Sequence, residues 1–150
     1  MANNTVGPSG AGALAAGVFV PVIVGQTGSR IQVNLPTGSP GMRAFMQSLA
    51  VDDEEARVAQ MPSQDIVVQI PVGTNLQRWA ARVVRREGYW QAVLIQSRGQ
   101  VQNEPCAHSC GTANAGNRVF LDCRAIPGYK SGSCGACVWK SHGARCERRA

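Results

Sequence analysis

Six cysteines hold most of the chemistry this sequence could perform, and all fall in the last 45 of 150 residues: Cys106, Cys110, Cys123, Cys134, Cys137 and Cys146. Their spacing is C-x3-C-x12-C-x10-C-x2-C-x8-C, with His108 inside the first pair and His142 inside the last interval. The two-residue gap between Cys134 and Cys137 suits metal chelation, because a tight turn brings both sulfurs to one ion and Gly135 lets the backbone approach it. Two zinc arrangements fit. Six thiolates could hold two ions through bridging sulfurs, or one ion could take four cysteines while the others stay spare or recruit the histidines. With both histidines, two Cys3His sites can be drawn: Cys106, His108, Cys110 and Cys123, then Cys134, Cys137, His142 and Cys146. The plainer reading of each histidine is a polar loop side chain, since a C-x-H chelate is sterically tight.

Energetics also call for a staple. Residues 104–150 offer few large apolar groups, chiefly Val119, Phe120, Leu121, Ile126, Tyr129, Val138 and Trp139, and a segment of that size with so little to bury is marginal alone. A structural zinc ion supplies about 10–16 kcal/mol of apparent binding energy, more than such a core could. Zn2+, as one or two ions on the six cysteines, is therefore the expected cofactor. Three disulfides are the rival, and a cysteine-dependent enzyme using His108 or His142 as base is the third reading. Compartment follows from the choice, since a reducing cytoplasm or nucleus keeps thiols for metal whereas secretion pairs them. Residues 14–24 (LAAGVFVPVIV) have the length of a signal-peptide core, but no Lys or Arg precedes them and Pro21 interrupts them. An intracellular site is expected, with secretion left open. No stretch approaches the roughly 18–20 apolar residues that cross a bilayer, so no membrane partner is expected.

The net charge of +6 is regional. Residues 1–75 carry three arginines against five acids, net −2, and residues 76–150 carry ten arginines and two lysines against four acids, net +8. Arginine is a planar fork suited to phosphates and carboxylates. Arg78, Arg82, Arg85 and Arg86 gather on one segment and are the candidate contacts to an acidic protein or a nucleic acid. A solvated helix face is the plainer account of them.

The elements that must position these residues can be read along the chain. Residues 1–13 are small, polar and Gly-rich, and are expected to be disordered. Residues 18–24 and 30–35 read as short strands around the turn signal GQTGS, and residues 42–49 and 52–60 as short helices, the second opening on four acids that suit a helix start. Residues 65–72 read as a strand, with Pro71 suggesting an edge or strand end. Thr74 and Asn75 can cap a helix over residues 76–87, with Gly88 as its stop. In it, Leu76, Trp79, Ala80, Val83 and Val84 share one apolar stripe. Residues 89–96 (YWQAVLIQ) read as another strand, followed by a turn at SRGQ.

The run from Tyr89 to Arg148, above all EPCAHSC, RVFLDC and SGSCGACVWKSHGARC, resembles a cysteine-rich domain of unknown function found in fungal proteins. That resemblance implies a strand and Gly turn before a first cysteine pair, an aromatic ahead of the third cysteine, then Gly-x-Cys-x-x-Cys-x-aromatic and a final cysteine. The matching residues are Trp90 to Gly99, Cys106 and Cys110, Phe120, Cys134, Cys137, Trp139 and Cys146. The first pair departs from the pattern, with three intervening residues where two are expected. The resemblance implies a fungal source and a small zinc-like module, and no activity. The closing C-x2-C-x8-C also resembles the fungal binuclear zinc-cluster transcription factors, but residues 111–122 carry one Arg where those proteins keep a basic recognition segment.

Phosphate-loop, dinucleotide, zinc-protease and serine-hydrolase signatures are absent, as is the deaminase pattern, because His108 is followed by Ser109 and Cys110. The expected fold is a small α+β chain of short strands and a few helices, with a disordered N-terminus and a loop-rich C-terminal module of zinc-ribbon-like or zinc-cluster-like form. Its organisation is expected to run as a tail (1–13), loosely defined strands and short helices (14–62), a strand–helix–strand segment (63–103) and the cysteine module (104–150). The expected function is a non-enzymatic, basic zinc-binding interaction module with no small-molecule substrate.

Overall fold

A computed structural model of the chain describes residues 20–104, 106, 119–140 and 146, so the expected tail over 1–13 lies outside the described residues. The described part is a small α+β arrangement of five α-helices, a three-stranded antiparallel sheet and a two-stranded ladder.

Strand β1 (Val22–Thr27) turns into β2 (Arg30–Leu35) through Gly28 and Ser29. Gly28 has φ +61°, the sign that the first position of a two-residue II′ hairpin turn requires. β3 (Ile66–Pro71) pairs with β2 and forms the other edge of the sheet, as Pro71 suggested. Both β2 and β3 alternate buried and half-buried residues. Their register sets Ile31 opposite Ile70, Val33 opposite Val68 and Leu35 opposite Ile66, so three apolar cross-strand pairs face the core.

The helices start where side-chain caps place them. Ser39 Oγ accepts from Met42 N at the head of α1 (Pro40–Ser48), and Asp52 Oδ1 accepts from Glu55 N at the head of α2 (Asp53–Ala59). Asn75 Oδ1 accepts from Arg78 N at the head of α3 (Leu76–Arg85), while Thr74 donates its hydroxyl proton to Pro71 O. The expected stripe of α3 is inward: Trp79, Ala80, Val83 and Val84 are buried and Leu76 is partly so.

One expectation is corrected. Residues 89–96 form no strand; they lie within helix α4 (Glu87–Arg98), and α3 ends at Arg85 rather than at Glu87. The chain kinks at Arg86 (φ −97°, ψ 123°) and restarts at once, so Gly88 sits in the first turn of α4 instead of ending α3. Physically, α4 is enclosed on all sides: every residue from Trp90 to Arg98 is buried, with α2, α3, α5 (Gly135–Trp139) and the short strand β5 (Arg124–Ala125) against it. A helix buried all round has no polar face, and its apolar run is indistinguishable in period from that of a buried strand.

Past Gly99 the chain forms β4 (Gln100–Val101), which pairs with β5, and Gln102 N extends the ladder by donating to Cys123 O at 2.7 Å. Gly99 is required there, because a Cβ would stand 2.5 Å from Ile95 O and 2.9 Å from Ala125 O, both backbone atoms. The core is continuous from Ile31 and Val33 through α4 to Phe120, Tyr129 and the cysteines.

Candidate metal centre

Four cysteines from three separate stretches of chain converge. Cys106 lies between β4 and β5, Cys134 is the N-cap of α5, Cys137 lies within α5, and Cys146 comes after it. Their sulfurs all lie within 4.8 Å of one another and all four residues are buried.

The loop that delivers α5 is held at both ends. Tyr129 is buried and donates its hydroxyl to Glu55 Oε2 at 3.4 Å, which ties the loop to α2 in the first half of the chain. Gln91 Nε2 donates to the same Glu55 oxygen at 3.3 Å. Burial, reinforced by the charge of Glu55 and its hydrogen bond, pushes the Tyr129 hydroxyl above its ordinary value, so it remains a donor. Between Tyr129 and Cys134 the chain turns through Lys130 (φ 53°), Ser131 (φ 57°) and Gly132 (φ 80°). Left-handed geometry at two non-glycine residues costs of order 1–3 kcal/mol each and persists only where the surroundings enforce it. At the other side, Gly135 lies against α4: a Cβ there would meet Gln96 Oε1 at 2.8 Å and Ala92 O at 3.3 Å. A larger residue there would have to displace the Gln96 side chain and move α5 a few tenths of an ångström off α4.

The sulfur spacing is compatible with one shared metal ion. With metal–sulfur bonds of about 2.3 Å, tetrahedral sulfurs stand about 3.8 Å apart. Cys106 Sγ and Cys137 Sγ are 3.7 Å apart, well beyond the roughly 2.05 Å of a disulfide. Cys134 N donates to Cys146 Sγ at 3.3 Å, a contact of the kind that orients a thiolate ligand. These four cysteines could hold a metal ion.

Of the other expected ligands, Cys123 is buried beside the centre but outside the four-sulfur group, where its Sγ accepts from Cys106 N at 3.5 Å. Cys110, His108 and His142 lie outside the described residues. Cys106, first in sequence, thus shares a cluster with the last three cysteines. Arg78, Arg82, Arg85 and Arg86 are all exposed, and Arg86 carries its guanidinium carbon 5.6 Å from the centroid of the Tyr89 ring.

An aromatic cluster that the sequence reading did not single out adjoins the centre. Trp139, two residues after Cys137, stacks on Tyr89 (4.1 Å, 22°), tilts against Trp79 (6.0 Å) and meets Phe120 edge-on (5.6 Å, 77°). Phe120 and Trp139 are the two aromatic positions noted in the resemblance. Trp79 and Tyr89 belong to other helices, and no periodic signal joins them to the cysteines.

Among the described residues no helix is long and apolar enough to cross a membrane. No curated protein and no solved structure matches the chain. Residues 92–149, from within α4 through the last cysteine, match the family model described as a protein of unknown function (DUF3716), which coincides closely with the stretch that the cysteine pattern and its aromatics marked out.

Proposed function

We propose that this chain is a binding module rather than an enzyme, in which one structural zinc ion on Cys106, Cys134, Cys137 and Cys146 staples the C-terminal segment to α4 and so fixes an arginine-bearing surface for an acidic partner. The four-sulfur cluster carries this reading. Four thiolates occupy every position of a tetrahedral ion, and closed sets of that kind are structural, whereas catalytic zinc keeps a position for water or substrate. Soft sulfur donors at tetrahedral spacing suit zinc over harder cations. A reducing compartment keeps such thiols available.

The bound ion leaves the surface basic. One Zn2+ with four thiolates carries a net charge of −2, which lowers residues 76–150 from +8 to +6. Arg78, Arg82, Arg85 and Arg86 are exposed and therefore open to phosphates or carboxylates.

Mass spectrometry under native and denaturing conditions tests the staple. One zinc mass under native conditions, with all six cysteines alkylated after denaturation, is the expected result. Three disulfides would leave no thiol to alkylate and would overturn it.

A further inference from the structure

A cavity of about 120 Å³ lies where the linker between α1 and α2 meets the kink between α3 and α4. Leu49, Val84 and Trp90 give it buried apolar walls, and Glu55, only 3% exposed, brings a carboxylate. Val51, Arg85 and Glu87 are exposed and mark its mouth. The charges of Arg85 and Glu87 oppose each other there, so the sign inside is left to Glu55.

The two oxygens of Glu55 are not alike. Oε2 accepts from Gln91 Nε2 and from the Tyr129 hydroxyl, which fixes the carboxylate. Oε1 accepts from none of the described residues, yet it is not shielded from solvent. No cation among the described residues forms an ion pair with Glu55. A buried carboxylate without a counter-ion is costly, and two neutral donors on one oxygen leave its charge in place. What fits is a cation with an apolar body. A divalent metal ion takes six or more oxygens and would find only those of Glu55 and Glu87. A guanidinium grips both oxygens of a carboxylate, and one of these is already engaged. A linear ammonium needs one oxygen and can lay its methylenes on apolar walls. Size agrees, since an apolar cavity of about 150 Å³ takes one benzene, six carbons.

We propose that this cavity binds a primary alkylammonium, with its nitrogen donating to Glu55 Oε1 and its stem against Leu49, Val84 and Trp90. A linear polyamine and the lysine side chain of a partner protein carry the same chemistry. The site uses neither the zinc ion nor the arginine face, and so goes beyond the binding-module reading.

The test follows the indole N–H signals of the full zinc-loaded chain by NMR during titration with n-butylammonium. The chain has three tryptophans, and two of them, Trp79 and Trp139, line a different cavity. Only the Trp90 signal should move, saturating at roughly millimolar ligand, as suits five non-hydrogen atoms. n-Butanol and butyrate, of matched size, isolate the charge. Butylammonium should bind at least about ten-fold tighter than butanol, the smallest effect of a charged hydrogen bond, and butyrate more weakly than either. Glu55→Gln should remove that preference with zinc content unchanged. Arg85→Gln, at an exposed position, keeps the test open if the buried variant fails to fold: loss of a cation at the mouth should tighten butylammonium by up to about five-fold. Two further ligands separate the sources. Tighter binding of 1,4-diammoniobutane, whose second nitrogen would meet Glu87, marks a free polyamine, and tighter binding of an end-blocked lysine peptide marks a partner's side chain. Equal binding of butanol, tighter binding of butyrate, weaker butylammonium binding to Arg85→Gln, equal movement of all three indole signals, or no movement at Trp90 each overturns the proposal.

Discussion

Stripping the metal should release α5 fully, loosen α4 and leave the sheet in place. The apparent energy of a structural zinc, about 10–16 kcal/mol, equals or exceeds the whole stability of an ordinary domain, about 5–15 kcal/mol. Locally, α5 is only five residues long, and its Val138 and Lys140 amides donate to Cys134 O and Ala136 O at 3.1 and 3.3 Å. A helix that short does not persist on its own hydrogen bonds. Loss of even about 3 kcal/mol of local stability speeds amide exchange about 100-fold. Chelation should therefore raise exchange at Val138 and Lys140 by at least that factor. The effect should reach α4, because Gly135 lies against Ala92 and Gln96, and Trp139 covers Tyr89. The amides that pair β2 with β3 should keep most of their protection, since that ladder carries no cysteine and the C-terminal segment meets it at the outer edge of β3 alone, where Val68 bridges to Phe120 and Gln69 N donates to Val119 O. Hydrogen exchange read by mass spectrometry, with and without chelator, measures all three regions. Unchanged protection in α5 after confirmed metal loss would refute the staple, and equal loss in the β2–β3 ladder would refute its graded reach.

Five further outcomes follow from the geometry. Serine at Cys106, Cys134, Cys137 or Cys146 should abolish stoichiometric zinc, whereas Cys123→Ser should retain it, as metal analysis of the purified variants will read. Tyr129→Phe should cost about 1–3 kcal/mol in urea unfolding, because it takes one of two donors from the buried Glu55 carboxylate. The same variant tests a pH effect: the Tyr129 hydroxyl is raised above its ordinary 10.0, so the unfolded state loses its proton first and stability falls as pH climbs past that value. Tyr129→Phe should remove that part of the alkaline slope. Gly99→Ala should destabilise by about 1–3 kcal/mol or more, since its Cβ collides with two backbone carbonyls, and thermal unfolding reports it. Replacing Arg78, Arg82, Arg85 and Arg86 with Gln should reduce the log–log salt slope of single-strand binding by up to about 3 if all four touch phosphate, with zinc content unchanged.

Local signals were sufficient for much of this molecule. Asn75 caps α3 and Asp52 caps α2 because a short polar side chain can reach the amide three residues on, which is a property of adjacent sequence. The alternation in β2 and β3, and the stripe of Trp79, Ala80, Val83 and Val84, were legible because each element has one face in the core and one toward water. The two-residue gap between Cys134 and Cys137 marked a chelate for the same reason, since the short helix that holds both sulfurs lies within the motif itself. What lay beyond was settled by neighbours distant in sequence. Helix α4 carries no polar face because other elements cover every side of it, so its period was silent and its type depended on what packed around it. The partition of cysteines was likewise undetermined by spacing. Pairing of β4 with β5 and the seating of α5 on α4 set Cys106 among the last three cysteines and left Cys123 against the Cys106 backbone. Neighbouring residues thus dictate where most helices and strands begin and that sulfur is gathered to bind something. Which sulfurs meet is a matter of the folded chain, because closure over tens of residues is fixed by packing and not by local chemistry.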